Sequence, residues 1–200
     1  MDRFSDATLG AIILVVLVPS LYFLARAAVV ILGAWSAYRL SPLAPAIGGT
    51  MDRKQGCIRG LYCGNKVVVS YTPQQSVGSG DSSQSINAFH IQVADLPGKQ
   101  NWRVPFELTG MLGQGPKRAY IETRDDGLRE RLRRAGVLAA VEAVSAPTLN
   151  YVTVDYDCRV KMLTFTDDVS PRVIPSQDAF AMQLALVARL VEINRQVNSV

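Results

Sequence analysis

From Leu9 to Tyr38 the chain is apolar almost without a break, interrupted only by Pro19, Ser20, Arg26 and Ser36. A helix needs about 20 apolar residues to cross the hydrocarbon core of a bilayer, so this pattern predicts a transmembrane helix. Ser41 to Gly56 carries Pro42, Pro45, Gly48 and Gly49 and reads as a linker leaving the membrane. The pattern then changes period. Cys57 to Cys63 and Lys66 to Tyr71 flank the turn signal Gly64-Asn65 and predict a hairpin. Thr72 to Ser85, rich in Gly, Ser and Gln, reads as a long exposed loop. Ile86 to Val93 alternates, and Phe89, Ile91 and Val93 are expected to face the core.

Trp102 to Leu108 and Arg118 to Thr123 predict further strands, joined through Gly110, Gly113, Gly115 and Pro116. Pro105 cannot donate to a ladder, which places its strand at an edge or a bulge. Thr123 to Asp126 resembles a capping box. It opens a helix from Asp125 through Arg134 with Leu128, Leu132 and Ala135 inward, and Val137 to Val144 continues helically. Leu149 to Tyr156 and Arg159 to Phe165 read as a hairpin around Asp157-Cys158. Pro175 and Ser176 open a last helix reaching about Val197, with Phe180, Leu184, Val187 and Val191 as its stripe and Leu186, Leu190 and Ile193 widening it. The predicted fold class is α+β: one N-terminal transmembrane helix, then a mostly antiparallel sheet of six or seven strands covered by two main helices. The expected organisation is an anchor at 1–40, a linker at 41–56 and a soluble α+β domain at 57–200, a length sufficient for one core.

A cleaved export signal competes with the anchor reading. Its apolar core is 7–15 residues behind a positive start. Here the chain begins Met-Asp-Arg-Phe-Ser-Asp and the apolar stretch is far longer, although Ala44-Pro45-Ala46 has the look of a cleavage site. Arg3 alone precedes the segment, whereas Arg39, Arg53, Lys54 and Arg59 follow it. Retention of positive charge inside predicts the N-terminus outside and the domain in the cytoplasm. Arg26 has two readings. With a span from Ala7 to Ala25 it snorkels to the headgroups, and Ala27 to Tyr38 continues as an interfacial or partner-bound helix. With a span from Val15 to Tyr38 it lies near mid-membrane and needs a carboxylate or carbonyl from another subunit. A helix of about 30 residues is about 45 Å long and exceeds the bilayer. Ala7/Ala11 and Gly33/Ala37 are small pairs at i, i+4, a spacing that allows close helix approach. Trp35 and Tyr38 fit an interfacial aromatic belt.

Composition adds little. The net charge of +4 suits a surface near anionic headgroups but falls short of a nucleic-acid stripe, so no nucleic-acid partner is expected. Cys57, Cys63 and Cys158 lack zinc or redox spacing and read as free thiols. The lone His90 falls on the other face of its strand from Phe89. Asp155, Asp157, Asp167 and Asp168 are separated by the predicted hairpin rather than clustered. No phosphate-loop, dinucleotide, nucleophile-elbow or haem motif occurs, so no catalytic residue, metal or cofactor is expected. Arg129 and Arg133 share a helix face beside Arg131 and Arg134, a solvated face or a dock for anionic lipid or an acidic partner.

The expectation is a single-pass, non-catalytic accessory or structural subunit of a membrane assembly, with other membrane protein subunits as partners. Its contact residues would be Arg26, Gly33, Trp35, Ala37 and Tyr38. The alternative is a membrane-tethered enzyme or ligand-binding domain whose site would gather His90, Tyr151, Tyr156 or the aspartates.

Overall fold

The computed structural model describes residues 6–75, 85–108, 116–145, 151–169 and 174–198, and the backbone alone at 6–16, 72–75, 85–87, 108, 117 and 169. Helix α1 runs unbroken from Asp6–Leu40, through Pro19. A 3-10 helix follows at Ser41–Ile47, opened by a proline in its first turn and closed by Gly48 at φ +53. Gly48 and Gly49 donate their N–H groups to the carbonyls of Pro45 and Ala44. Such short helices leave carbonyls to be met this way, and glycine enters the left-handed region without Cβ strain. Leu43 and Ile47 of this segment are buried in the core.

Among the described residues, eight antiparallel strands form one sheet: β1 Thr50–Asp52, β2 Cys57–Tyr62, β3 Asn65–Gln75, β4 Ser85–Val93, β5 Trp102–Leu108, β6 Lys117–Ala119, β7 Tyr151–Asp157 and β8 Met162–Val169. Their order is β1-β2-β3-β4-β8-β7-β5-β6. The architecture is mixed α+β, as the pattern predicts, with eight strands in place of six or seven. The two edges, β1 and β6, have three residues each, which keeps unpaired ladder groups few.

Three local expectations are corrected. The β2–β3 loop is Cys63-Gly64, not Gly64-Asn65: Tyr62 pairs with Asn65, and the loop residues have φ +47 and +75. Positive φ at both positions is what a tight hairpin turn needs. The shift by one frees Asn65 to turn inward, where its amide donates to the carbonyls of Tyr62 and Cys63. The strand with Pro105 is second from the edge. Arg103 exchanges both backbone bonds with Glu122, and Tyr120 donates its N–H to the Pro105 carbonyl, while Pro105, having no N–H, donates none in return. The deficit thus falls on the short outer strand, where the ladder lapses between β6 and the Arg103–Glu122 bridge. The N-cap of the next helix is Asp125, not Thr123: its carboxylate accepts from the Leu128 N–H at 3.0 Å, while the Thr123 hydroxyl accepts from the Asp125 N–H.

Helix α2 spans Asp126–Arg134 and α3 Val137–Ser145, divided at Gly136, whose φ of +78 stops the first helix. Helix α4, Gln177–Asn198, is capped by the Ser176 hydroxyl, and its expected stripe is buried throughout. Phe89, Ile91 and Val93 join Val67, Val69, Phe165, Val154 and Val104 on one face of the sheet, with α4 laid against it. Phe180 meets Phe89 edge-to-face at 6.0 Å, and Trp102 stacks on Tyr156 at 6.2 Å. Gly78, Gly80, Gly110, Gly113, Gly115 and Leu149 lie outside the described residues.

Candidate functional site

The C-terminal turns of α1 form the first site. From Leu17 to Leu32 no side chain of α1 is buried, and exposure reaches 69% at Phe23 and 67% at Ile31. Among the described residues it is the one helix long and apolar enough to cross a membrane, a test an N-terminal export signal also passes. From Gly33 onward the helix meets the domain. A Cβ on Gly33 would lie 3.0 Å from the Arg53 carbonyl oxygen and 3.2 Å from that of Lys54. Gly56, at φ +66, returns the contact: its Cβ would lie 3.1 Å from the Gly33 Cα. Ala37 and Leu40 are fully buried. The small pair Gly33/Ala37 is therefore occupied within the chain: Gly33 by the β1–β2 turn, and Ala37 buried in the domain. The side chains of Ala7 and Ala11 lie outside the described residues.

Trp35 and Tyr38 are 56% and 73% exposed on the opposite side. The Arg39 guanidinium lies 4.7 Å from the Trp35 ring centre and 5.5 Å from that of Tyr71, and Arg26 lies 5.8 Å from the Tyr22 ring, both cation–π distances. The β1–β2 turn is itself held by Asp52. One carboxylate oxygen accepts the N–H groups of Lys54 and Gln55, each at 3.1 Å, and the other faces Arg59 Nε at 3.3 Å. These bonds, the Gln55 N–H foremost, hold the Asp52 carboxyl below the usual range.

A cleft of about 1390 Å³ is the second site, and sequence reasoning missed it. Its walls are the 99–103 segment, the stretch from Ile121 into α2, and the β7–β8 turn. Asn101 ties them together: its side chain accepts from the Cys158 N–H and its carbonyl from the Thr123 hydroxyl. Arg103 stands in the cleft with Nε 3.2 Å from Asp155 and Nη1 3.8 Å from Glu122. Desolvation raises the Asp155 pKa, against the pull of Arg103. Arg129 donates to the Thr123 carbonyl and pairs with Asp126. Arg103 and Arg129 are thus held by carboxylates, whereas among the described residues no carboxylate forms an ion pair with Lys99, Arg124 or Arg159, which also line the cleft; no histidine lines it. No sequence motif could have announced it, because Arg103, Glu122 and Asp155 become neighbours only through strand register.

The remaining candidates divide between the cleft, which Tyr156, Asp155 and Asp157 line together, and positions scattered elsewhere. Arg133 and Arg134 both pair with Glu130, whose carboxyl they hold below the usual range, Arg133 most. His90 rests its Nδ1 3.1 Å from the Thr166 hydroxyl, and burial lowers its pKa. Tyr156 has its hydroxyl buried on the Leu96 carbonyl, whereas Tyr151 is exposed. Asp155 and Asp157 line the cleft. Asp167 is buried elsewhere, accepting from the Gln183 amide at 2.9 Å. All three cysteines are free. Among the described residues no group of histidine, cysteine and carboxylate side chains could hold a metal. No family model, curated protein or solved structure matches this chain.

Proposed function

We propose that the chain is a single-pass membrane-anchored, non-catalytic accessory or structural subunit, with its N-terminus outside and its α+β domain at the cytoplasmic surface making protein contacts. The observation that carries this reading is a continuous helix that buries no side chain from Leu17 to Leu32 while its last turns enter the domain's core. The segment from Asp6 to Leu32 measures about 40 Å, enough for the hydrocarbon layer and a margin of headgroups. Apolar exposure all round such a helix is stable only in lipid or against other helices. The orientation rests on the basic residues after the segment, Arg39, Arg53, Lys54 and Arg59.

The test is gentle purification of a tagged full-length chain. Membranes should retain it through a high-salt wash, and mild detergent should release it with a partner in fixed stoichiometry. Release by salt would refute the anchor; recovery as a lone monomer would refute the subunit role. A second reading, a membrane-tethered ligand-binding domain, is favoured specifically by the cleft around Arg103. It requires a ligand whose charges compete with Asp155 and Glu122.

A further inference from the structure

We infer that the β1–β2 turn is a lipid contact, binding the headgroups of anionic phospholipids in the leaflet from which α1 emerges, with Arg53 and Lys54 as the cationic ligands. This rests on the anchor reading and adds to it a boundary and a headgroup class. The boundary follows from Gly33. The backbone of the turn is pressed against it, with the Arg53 and Lys54 carbonyls at contact distance. Irregular backbone and exposed cations do not lie in hydrocarbon facing lipid. The hydrocarbon layer must therefore end before Gly33 on this face, which removes the span from Val15 to Tyr38. Arg26 stands at i−7 from Gly33, on the same face to within about 20° and about 10 Å toward the N-terminus. That is the depth of a snorkelling arginine, and a span of about 20 residues ending at Ala25 places it at the hydrocarbon edge.

The charge class follows from pairing. Among the described residues no carboxylate forms an ion pair with Arg26, Arg53 or Lys54. The one acidic side chain of the turn, Asp52, is committed to its backbone and to Arg59. On α2, by contrast, Arg129 is held by Asp126, and Arg133 and Arg134 share Glu130. The turn keeps the positive charge of Arg53 and Lys54 available, and on the anchor reading it does so at the level where headgroup phosphates lie. Trp35 and Tyr38, exposed across the helix, complete an interfacial band at that level.

The test uses the full-length chain in mild detergent, titrated with short-chain phosphatidylglycerol, phosphatidylcholine and inorganic phosphate. Phosphatidylglycerol should bind at least tenfold more tightly than phosphatidylcholine, and inorganic phosphate should not reach the affinity of the lipid. Arg53→Gln and Lys54→Gln should each weaken the phosphatidylglycerol site about fivefold, the value of one surface cation near an anionic membrane. Arg53→Lys should retain it, and unchanged melting of the glutamine variants would show the fold intact. Equal binding of the two lipids, unchanged affinity in the double variant, or phosphate binding as tight as the lipid would overturn the inference. If the chain remains in salt-washed membranes while any of these occurs, the lipid contact alone fails. If it is recovered from cells without detergent, the anchor fails with it.

Discussion

Asn194 shows how much one side chain can hold. It is fully buried on α4, accepts the Trp102 indole N–H at 2.9 Å and donates to the Pro97 carbonyl at 2.7 Å. It thereby pins the largest core aromatic and the β4–β5 connection to the last helix. Asn194→Ala would leave the Trp102 indole N–H buried and unmet, at about 1–3 kcal/mol, while the carbonyl of the exposed Pro97 can turn to water. Urea denaturation of the full chain should show a loss of that order, and a loss under 0.5 kcal/mol (about the scale of an ordinary surface change) would contradict the assignment. The apolar stripe around Asn194 was legible from spacing, but the residue's role was not, because its partners lie 92 and 97 positions away. The cap at Asp125 was misplaced for a related reason. Thr123 and Asp125 are both acceptable N-cap residues, and only the Leu128 N–H decides between them.

Among elements, periodic segments were legible at helical and at strand spacing alike, strands β2, β3, β4, β5, β7 and β8 included, and the segments without a period were not. The apolar run gave α1 to within a few residues, and the stripe from Phe180 to Ile193 gave α4. The 3-10 helix and β1 escaped because Pro42, Pro45, Gly48 and Gly49 carry a turn signature whatever the chain does there. Their existence depends on tertiary contact: a Cβ on Gly60 would lie 2.2 Å from the Ile47 carbonyl oxygen, so β2 and the 3-10 helix meet backbone to backbone. The junction at Gly33 is of the same kind. Gly33→Leu must push the Arg53–Gly56 turn off α1, since the obstructing atoms are backbone and cannot swing aside. Trypsin should then cut after Arg53 or Lys54 several times faster than in the parent chain. Equal cleavage rates would mean that the turn is not held by the helix.

The whole molecule's response to pH follows from groups on the sheet. Burial keeps the folded-state pKa of His90 below its ordinary 6.5. As pH falls through about 6.5 the unfolded chain takes up a proton that the folded chain refuses, so stability falls, and it levels off once the folded-state pKa is passed. Asp155 and Asp168 act with the opposite sign. Desolvation raises both, so each favours the folded state in acid and loses that contribution as pH rises through its folded-state value. Comparing the parent with His90→Gln separates the two. The variant should lose less stability than the parent between pH 7.5 and 5.5, read as the shift in the urea midpoint; parallel shifts would show that the histidine is not the sensor. At this scale the sequence disclosed an apolar helix joined to an α+β domain, whereas the cleft needed the register that brings β5, β7 and the chain before α2 together.

The direct entry of α1 into the core has a mechanical consequence. Ala37 and Leu40 belong to the domain's interior while the same helix continues outward as the apolar arm. No swivel separates them, so the arm and the sheet share one orientation. If α1 spans a bilayer as proposed, thinning obliges the long span to lean, and the lean would be passed to the eight strands. The arm would then act as a tiller: local lipid thickness would decide which surface of the domain faces away from the lipid and which is turned toward it.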